Sequence, residues 1–318
     1  MSTIQTVSGE VAAPADGHLL MHEHVVIGFI GHQWDPRAGF DSEAELAKLS
    51  QEFRTLRETH GVRLLVDAGP AEMGRDVIFQ ARLAAASGVS VVAATGYDKS
   101  GRGLPYYYQK LEQADLEDIL RYELVQGVPG TGIRCGVIKL ASGGGALSAD
   151  ELRNFRAGGR VSGELDCPIV THTDPEGWAE GNIGLRQLEV LLEAGARPER
   201  IAIGHACGSR DLDQLIEICR LGAFVAIDRI GIGWIRPDEE RADLVRALVD
   251  AGFGDNVLLS HDHQAIWNHR RRPQFGSSLA MSFSHIHDHF IPMLERGGLP
   301  ATKIDMLMRA NPIRLLSK

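Results

Sequence analysis

Residues 18–25 read His18-Leu19-Leu20-Met21-His22-Glu23-His24-Val25. An apolar run closes on two histidines two positions apart. In a strand, residues i and i+2 share a face, so the pattern predicts both imidazoles on one side and Glu23 on the other. A lone His-x-His is a common surface pair. Here it gains weight because further short apolar runs also close on metal-ligand residue types. Lys139 follows Val137-Ile138, His172 follows Val170-Thr171, His205 follows Ile203-Gly204, and Asp262 follows Leu258-Leu259-Ser260-His261. A turn signal and a helix-like segment follow each run.

Working outward from those tips, the chain alternates between two periodicities. Strand candidates fall at 18–25, 63–68, 89–95, 133–140, 168–173, 201–205, 223–228 and 256–260. Most are short, continuous and rich in Val, Ile and Leu, which suits strands buried on both faces of a parallel sheet. Helix-like stretches lie between them at 43–59, 75–86, 116–126, 149–163, 184–194, 212–221 and 239–251. Eight repeats of strand then helix predict a closed (β/α)8 TIM barrel, with the metal-ligand residues gathered at the C-terminal ends of its strands. No Pro/Ser-rich linker breaks the chain, so 1–318 reads as one domain. Gly143-Gly144-Gly145 reads as a loop after the fourth strand. Gly158-Gly159 falls inside a helix pattern, where each glycine costs about 1 kcal/mol relative to alanine; close packing or a kink would account for it.

Composition agrees with an enzyme that handles a small molecule. With 318 residues, 44% of them hydrophobic, the chain can bury a large core, and its net charge of −9 disfavours nucleic acid and anionic membranes as partners. The N-terminus has no basic region followed by an apolar stretch, and no run approaches the roughly 20 apolar residues that span a bilayer. Cys135, Cys167, Cys207 and Cys219 show no CxxC spacing and read as reduced thiols in a cytoplasmic protein.

The residue types carry the chemistry. Neutral imidazoles at 22, 24, 172 and 205 suit zinc and similar divalent ions. Lys139 is the wrong residue for a bare ligand, because an ammonium has three donors and no acceptor. Conversion by carbon dioxide to a carbamate would make it a carboxylate-like group long enough to bridge two metals. Asp262 can bind one metal through one oxygen and take a proton from a metal-bound water with the other.

The set His22, His24, Lys139, His172, His205 and Asp262 resembles the phosphotriesterase family of the amidohydrolase superfamily. Gly74-Arg75-Asp76, Ala94-Thr95-Gly96 and Asn311-Pro312 add to the resemblance. Ile227-Asp228-Arg229 and Ser260-His261-Asp262 look most like the phosphotriesterase-like lactonases. The resemblance implies two divalent ions, zinc first, with cobalt, manganese or iron as other choices. His22, His24 and Asp262 would hold the more buried ion, and His172 and His205 the second. Carbamylated Lys139 and a hydroxide would bridge both; the hydroxide would attack a lactone carbonyl, with Asp262 passing on the proton. A homodimer is implied too. Arg229 corresponds to a residue that borders the substrate pocket, and so does Tyr97, with its neighbour Asp98 competing for that place. Trp267 could form an apolar wall of that pocket, and His263 could lie near it.

Two other clusters stand out on the residues themselves. His285, His287 and His289 look like a metal tract, but Leu279, Phe283, Ile286, Phe290 and Leu294 form a helical stripe. That stripe puts His285 and His289 on the opposite face and His287 at its edge. Arg270-Arg271-Arg272 beside Asp262 suits a phosphorylated substrate, yet three adjacent arginines cannot all face one pocket. The expected activity is therefore hydrolysis of a neutral lactone, with promiscuous phosphotriester hydrolysis; a phosphorylated sugar lactone, another ester or an amide is the alternative substrate. A single-metal deaminase would not need Lys139, and a non-catalytic barrel would not need the complete ligand set.

Overall fold

The computed structural model describes residues 2–268 and 282–318. Arg270, Arg271, Arg272 and Leu279 lie outside the described residues. An antiparallel hairpin of β1 (Thr3–Thr6) and β2 (Gly9–Ala12) comes first. The remaining strands are β3 (His18–Ile27), β4 (Val62–Asp67), β5 (Ser90–Tyr97), β6 (Val137–Ala141), β7 (Ile169–His172), β8 (Ile201–Ile203), β9 (Phe224–Ile227), β10 (Val257–Leu259) and β11 (Gln264–Trp267). They form one parallel sheet in the order β10-β9-β8-β7-β6-β5-β4-β3-β11.

β10 and β11 are two halves of one barrel position. β10 pairs with β9, and four residues later β11 pairs with β3. Between them the Asp262 amide donates to His22 O at 2.9 Å, and the His24 amide donates to His263 O at 2.8 Å. The eighth strand thus hands its hydrogen bonds from one neighbour to the other and curls the sheet into a (β/α)8 barrel.

Helices Ser42–His60, Val77–Ser87, Gln113–Val125, Ala149–Leu165, Ile183–Glu193, Leu212–Arg220 and Asp238–Asp250 fill the crossovers. Several start on caps legible in the sequence. Asp41 accepts from the Ala44 amide, Asp76 from the Phe79 amide, and Ser148 pairs with Glu151 in a capping box. The glycines at 158 and 159 reflect close packing, and the helix runs on through them. A Cβ at Gly158 would stand 2.6 Å from Leu140 Cδ1, and one at Gly159 would stand 2.7 Å from Ala194 Cβ.

Two apolar layers result. Leu19, Met21, Leu64, Val66, Val92, Ala94, Val137, Val170, Ala202, Phe224, Ala226 and Leu258 fill the barrel interior. Its N-terminal end is plugged by Ile4 of the hairpin and by Leu315 and Leu316, with the Lys318 amide donating to Thr3 O. The second layer lies between barrel and helices. Phe283, Ile286, Phe290 and Leu294 are all fully buried in it, as the helical stripe predicts. The hairpin and β11 were not among the expected strands.

Candidate metal centre

Strand parity decides which side chains reach the C-terminal rim, and β3 breaks its own parity. Leu19 and Met21 point into the barrel, so strict alternation would send Glu23 inward and His22 outward. The register against β4 shifts between Leu20 and Glu23: Leu20 pairs with Leu65, but Glu23 pairs with Asp67. That extra residue is a bulge, which re-aims the side chains after it. His22 and His24 now face the barrel axis. Glu23 faces outward as expected, yet it is fully buried. It accepts from Ser260 Oγ at 2.7 Å, His261 N at 3.0 Å and His263 N at 2.9 Å, and its Oε1 meets His261 Nδ1 at 2.7 Å. Glu23 therefore clamps the split eighth strand against the first.

The backbone also turns at two of the expected ligands. Among the described residues, only Asp166, His205 and Asp262 are non-glycine residues with positive φ. Asp and His tolerate this left-handed region better than most residues, and such conformations gather at functional sites.

Around the axis the six side chains meet. His22 Nε2 is 2.8 Å from Lys139 Nζ, and His205 Nε2 is 2.8 Å from His172 Nδ1. His24 Nε2 is 3.2 Å from Asp262 Oδ1, and Asp262 Oδ2 is 3.8 Å from His205 Nε2. Ligand atoms of His22, His205 and Asp262 lie within 4.8 Å of one another. All six residues are buried.

Asp228 organises this ring. It follows β9 directly, on the inward parity of Phe224 and Ala226, and is fully buried. Its Oδ2 lies 2.7 Å from His22 Nδ1 and its Oδ1 lies 2.9 Å from His205 Nδ1; the His205 amide donates to Oδ1 at 2.8 Å. A carboxylate there fixes the proton on Nδ1 of both rings and leaves each Nε2 lone pair facing the axis. Sequence reasoning noted Asp228 without giving it this task; the signal was its place two residues after an inward alanine. Asp174 acts similarly on His172, with its Oδ1 2.8 Å from Nε2 and its Oδ2 paired with Lys99.

The electrostatics fit a cation. Burial holds His22 below its ordinary pKa and His172 well below it; burial and then Arg229 take His205 down to about 3. All three are neutral imidazoles with lone pairs available. Burial also lowers Lys139 to about 8. Burial opposes a charge on His24, but Asp262 and Asp67 outweigh it and raise the imidazole to about 9. A positive charge is thus favoured beside Asp262. Neutral nitrogens aimed at one another beside two carboxylates are a donor set that fits divalent metal ions.

Three spaces open above the ring. A mouth cavity of about 340 Å³ is bounded by Lys99, Arg102, Asp174, Arg229, Trp234 and Asp262. A more apolar chamber of about 190 Å³ lies beside Ile27, Phe29, Ile30, Met73 and Trp267. A floor of about 30 Å³ touches His24, Lys139, His172 and Asp262. Arg102 and Gln264 border all three.

Arg229 and Trp267 therefore stand on cavity walls. Tyr97 does not reach these walls. Its hydroxyl donates to Leu116 O at 2.9 Å and its ring packs edge-on against Tyr108, inside the layer between barrel and helices. The outward parity of β5 at this position is the reason, and its neighbour Asp98 takes the wall. His263 turns its ring edge-on to the core residue Phe283, with centroids 4.5 Å apart. The C-terminal histidines stay apart from this ring. His285 meets Asp238 at 2.8 Å and His287 meets His18 at 3.0 Å, while His289 is exposed.

Comparison with known proteins places the whole chain. The model of the phosphotriesterase family matches residues 2–316. An aryldialkylphosphatase of Saccharolobus solfataricus is 28% identical over 307 residues, covering 95% of each chain. An N-acetyltaurine hydrolase of Rattus norvegicus is 27% identical, covering 99% of this chain and 97% of its own. Among solved structures, a multiply substituted PTE-like lactonase of Deinococcus radiodurans superposes with a TM-score of 0.91 at 35% identity, over 99% of this chain and 100% of the other.

Proposed function

This chain belongs to the phosphotriesterase family of metal-dependent hydrolases, and we propose that it hydrolyses lactones, with slower promiscuous turnover of phosphotriesters. The observation that carries the reading is the ring of inward Nε2 and carboxylate atoms held by Asp228. His22, His24 and Asp262 would hold one ion, His172 and His205 a second, and Lys139, as its carbamate, would serve both. When bound, two such ions supply Lewis-acid polarisation of the scissile carbonyl or phosphoryl group and a water acidified toward neutral pH.

The chain's own residues account for the rest. With its pKa lowered to about 8, Lys139 keeps a neutral amine fraction near neutral pH, and the neutral amine is the form that adds to carbon dioxide. Asp262, held well below the usual carboxylate range, is ionised and able to accept a proton. The Nε of Arg229, 3.4 Å from Asp262 Oδ2, lies where it can orient a substrate oxygen. The apolar chamber beside Met73 and Trp267 offers a place for a ring substituent. An amide substrate is the second reading, favoured by the match to an N-acetyltaurine hydrolase. A cytoplasmic homodimer with reduced cysteines completes the proposal; the four thiols are free and buried.

The test is a hydrolysis screen of protein reconstituted with zinc, cobalt or manganese, against lactones, phosphorylated lactones, phosphotriesters and N-acyl amides. Lactones are expected to show the highest kcat/KM. Failure to bind metal, or turnover of amides alone, would overturn the lactonase reading.

A further inference from the structure

Two arginines on the mouth cavity are held without being satisfied. Arg102 reaches Asp98 through Nη1 alone, 3.4 Å from each carboxylate oxygen. Its Nε and Nη2 have no hydrogen-bond partner among the described residues, and a third of the side chain is exposed. Arg229 is 6% exposed; its Nε is 3.4 Å from Asp262 Oδ2, and its Nη1 is buried with no partner among the described residues.

The same chain shows what a committed guanidinium looks like. Arg75 grips Glu123 with two nitrogens at 2.6 and 2.7 Å. Charge-assisted forks of that kind shorten to about 2.7–2.9 Å. At 3.4 Å, with nitrogens to spare, Arg102 and Arg229 keep most of their donor capacity. The buried Nη1 of Arg229 is costly to leave without an acceptor and so calls for a ligand, while Arg102 holds its spare donors out toward the open cavity.

The carboxylates nearby do not use up that capacity. Asp174 is engaged by Lys99 and His172, and Asp262 by His24. Glu176 is the remaining carboxylate on the cavity wall. Arg102 also borders the apolar chamber and the floor, which it shares with His24, Lys139, His172 and Asp262.

We propose that Arg102 and Arg229 form an anion subsite, so that the preferred substrate carries an acid group next to the lactone ring. This rests on the lactonase reading and sharpens it. Sequence alone favours a neutral lactone because Arg270, Arg271 and Arg272 cannot all face one pocket and Arg229 would border it with either substrate; in the fold, the cationic side of the pocket comes from the loops after β5 and β9.

The experiment compares a γ-lactone bearing a ring carboxylate with its methyl ester, using metal-loaded protein. Sulfonate- and phosphate-bearing lactones serve as further arms that identify the acid. Wild type is expected to prefer an acid form over the ester. Arg102→Gln should lower the acid-to-ester ratio of kcat/KM by about 10-fold or more, chiefly through KM, and Arg102→Lys should restore part of it. A ratio unchanged in Arg102→Gln, or a wild type that prefers the ester, overturns the proposal. Binding of 2-hydroxyglutarate, the opened product of the carboxylate arm, is measured by calorimetry on the same proteins. Weakening of about 10-fold or more in Arg102→Gln supports the subsite even where no lactone turns over, an outcome that would refute only the lactonase reading. Equal binding by both proteins overturns the subsite itself.

Discussion

Replacing Asp228 with asparagine should weaken metal binding while leaving the fold in place. The carboxylate serves three groups: His22 Nδ1 at 2.7 Å, His205 Nδ1 at 2.9 Å and His205 N at 2.8 Å. An asparagine of the same shape offers one acceptor oxygen and one NH2 donor. If its oxygen faces His205, its NH2 points at His22 Nδ1–H, donor against donor. His22 relieves the clash by moving its proton to Nε2, and that proton then blocks the nitrogen aimed at the axis.

Loss of a partner behind one ligand costs about 10–100-fold in metal affinity, or roughly 1.4–2.7 kcal/mol. Because Asp228 stands behind two ligands, the expected loss lies near the upper end. Zinc titration of the metal-free variant against a competing chromophoric chelator reads it directly, with circular dichroism to verify folding. A folded Asp228→Asn protein that binds zinc within about 3-fold of wild type, a gap of only ~0.6 kcal/mol, would refute the claim that Asp228 sets the tautomers.

Four further outcomes follow from the same geometry. Lys139→Ala should abolish turnover, and added short carboxylic acids should restore part of it by filling the carbamate's place; no rescue in a metal-loaded variant would count against the carbamate. Asp262→Asn should keep a metal-binding oxygen yet lose about 10²–10⁴ in kcat, the usual cost of a missing general base, checked by steady-state kinetics at matched metal content. Gly158→Ala should destabilise by about 1–3 kcal/mol in urea unfolding, since its Cβ would stand 2.6 Å from Leu140 and overpack that layer. His287, held by burial at about 3, stays neutral in the folded state, while the unfolded chain takes up a proton below about 6.5; stability therefore falls as pH drops below 6.5, and His287→Asn should lessen that fall by about 1 kcal/mol between pH 7.5 and 5.5.

What the sequence could show depended on how local each signal was. The strand tips were legible because buried parallel strands read as continuous apolar runs, and a histidine, lysine or aspartate closing such a run stands out. Helix starts were legible for a similar reason: Asp41, Asp76 and Ser148 cap within three residues of themselves. The two ends of the barrel were not. The hairpin that seats Ile4, and the return of Leu315 and Leu316 beneath it, are a packing need of the whole barrel with no local pattern to announce them.

Orientation is where local reading stops. His22 and His24 were expected on one face and lie on one face, yet simple alternation from Met21 would have turned both away from the axis. The bulge that rescues them is set by pairing with β4, forty residues further on. Glu23 then finds its partners at Ser260, His261 and His263, over two hundred positions away, and Asp228 finds His22 at a similar separation. Tyr97, by contrast, obeys plain alternation from the inward Val92 and Ala94, which turns it outward and leaves the wall to Asp98. His205 departs from the alternation set by the inward Ala202 through a left-handed backbone that only a few residue types tolerate, whereas Asp262 keeps the inward parity of Leu258. A candidate metal ring at strand tips is therefore half inscribed in composition and half created by closure: the residue types are fixed by the chain, but their lone pairs are aimed by carboxylates that closure alone brings behind them.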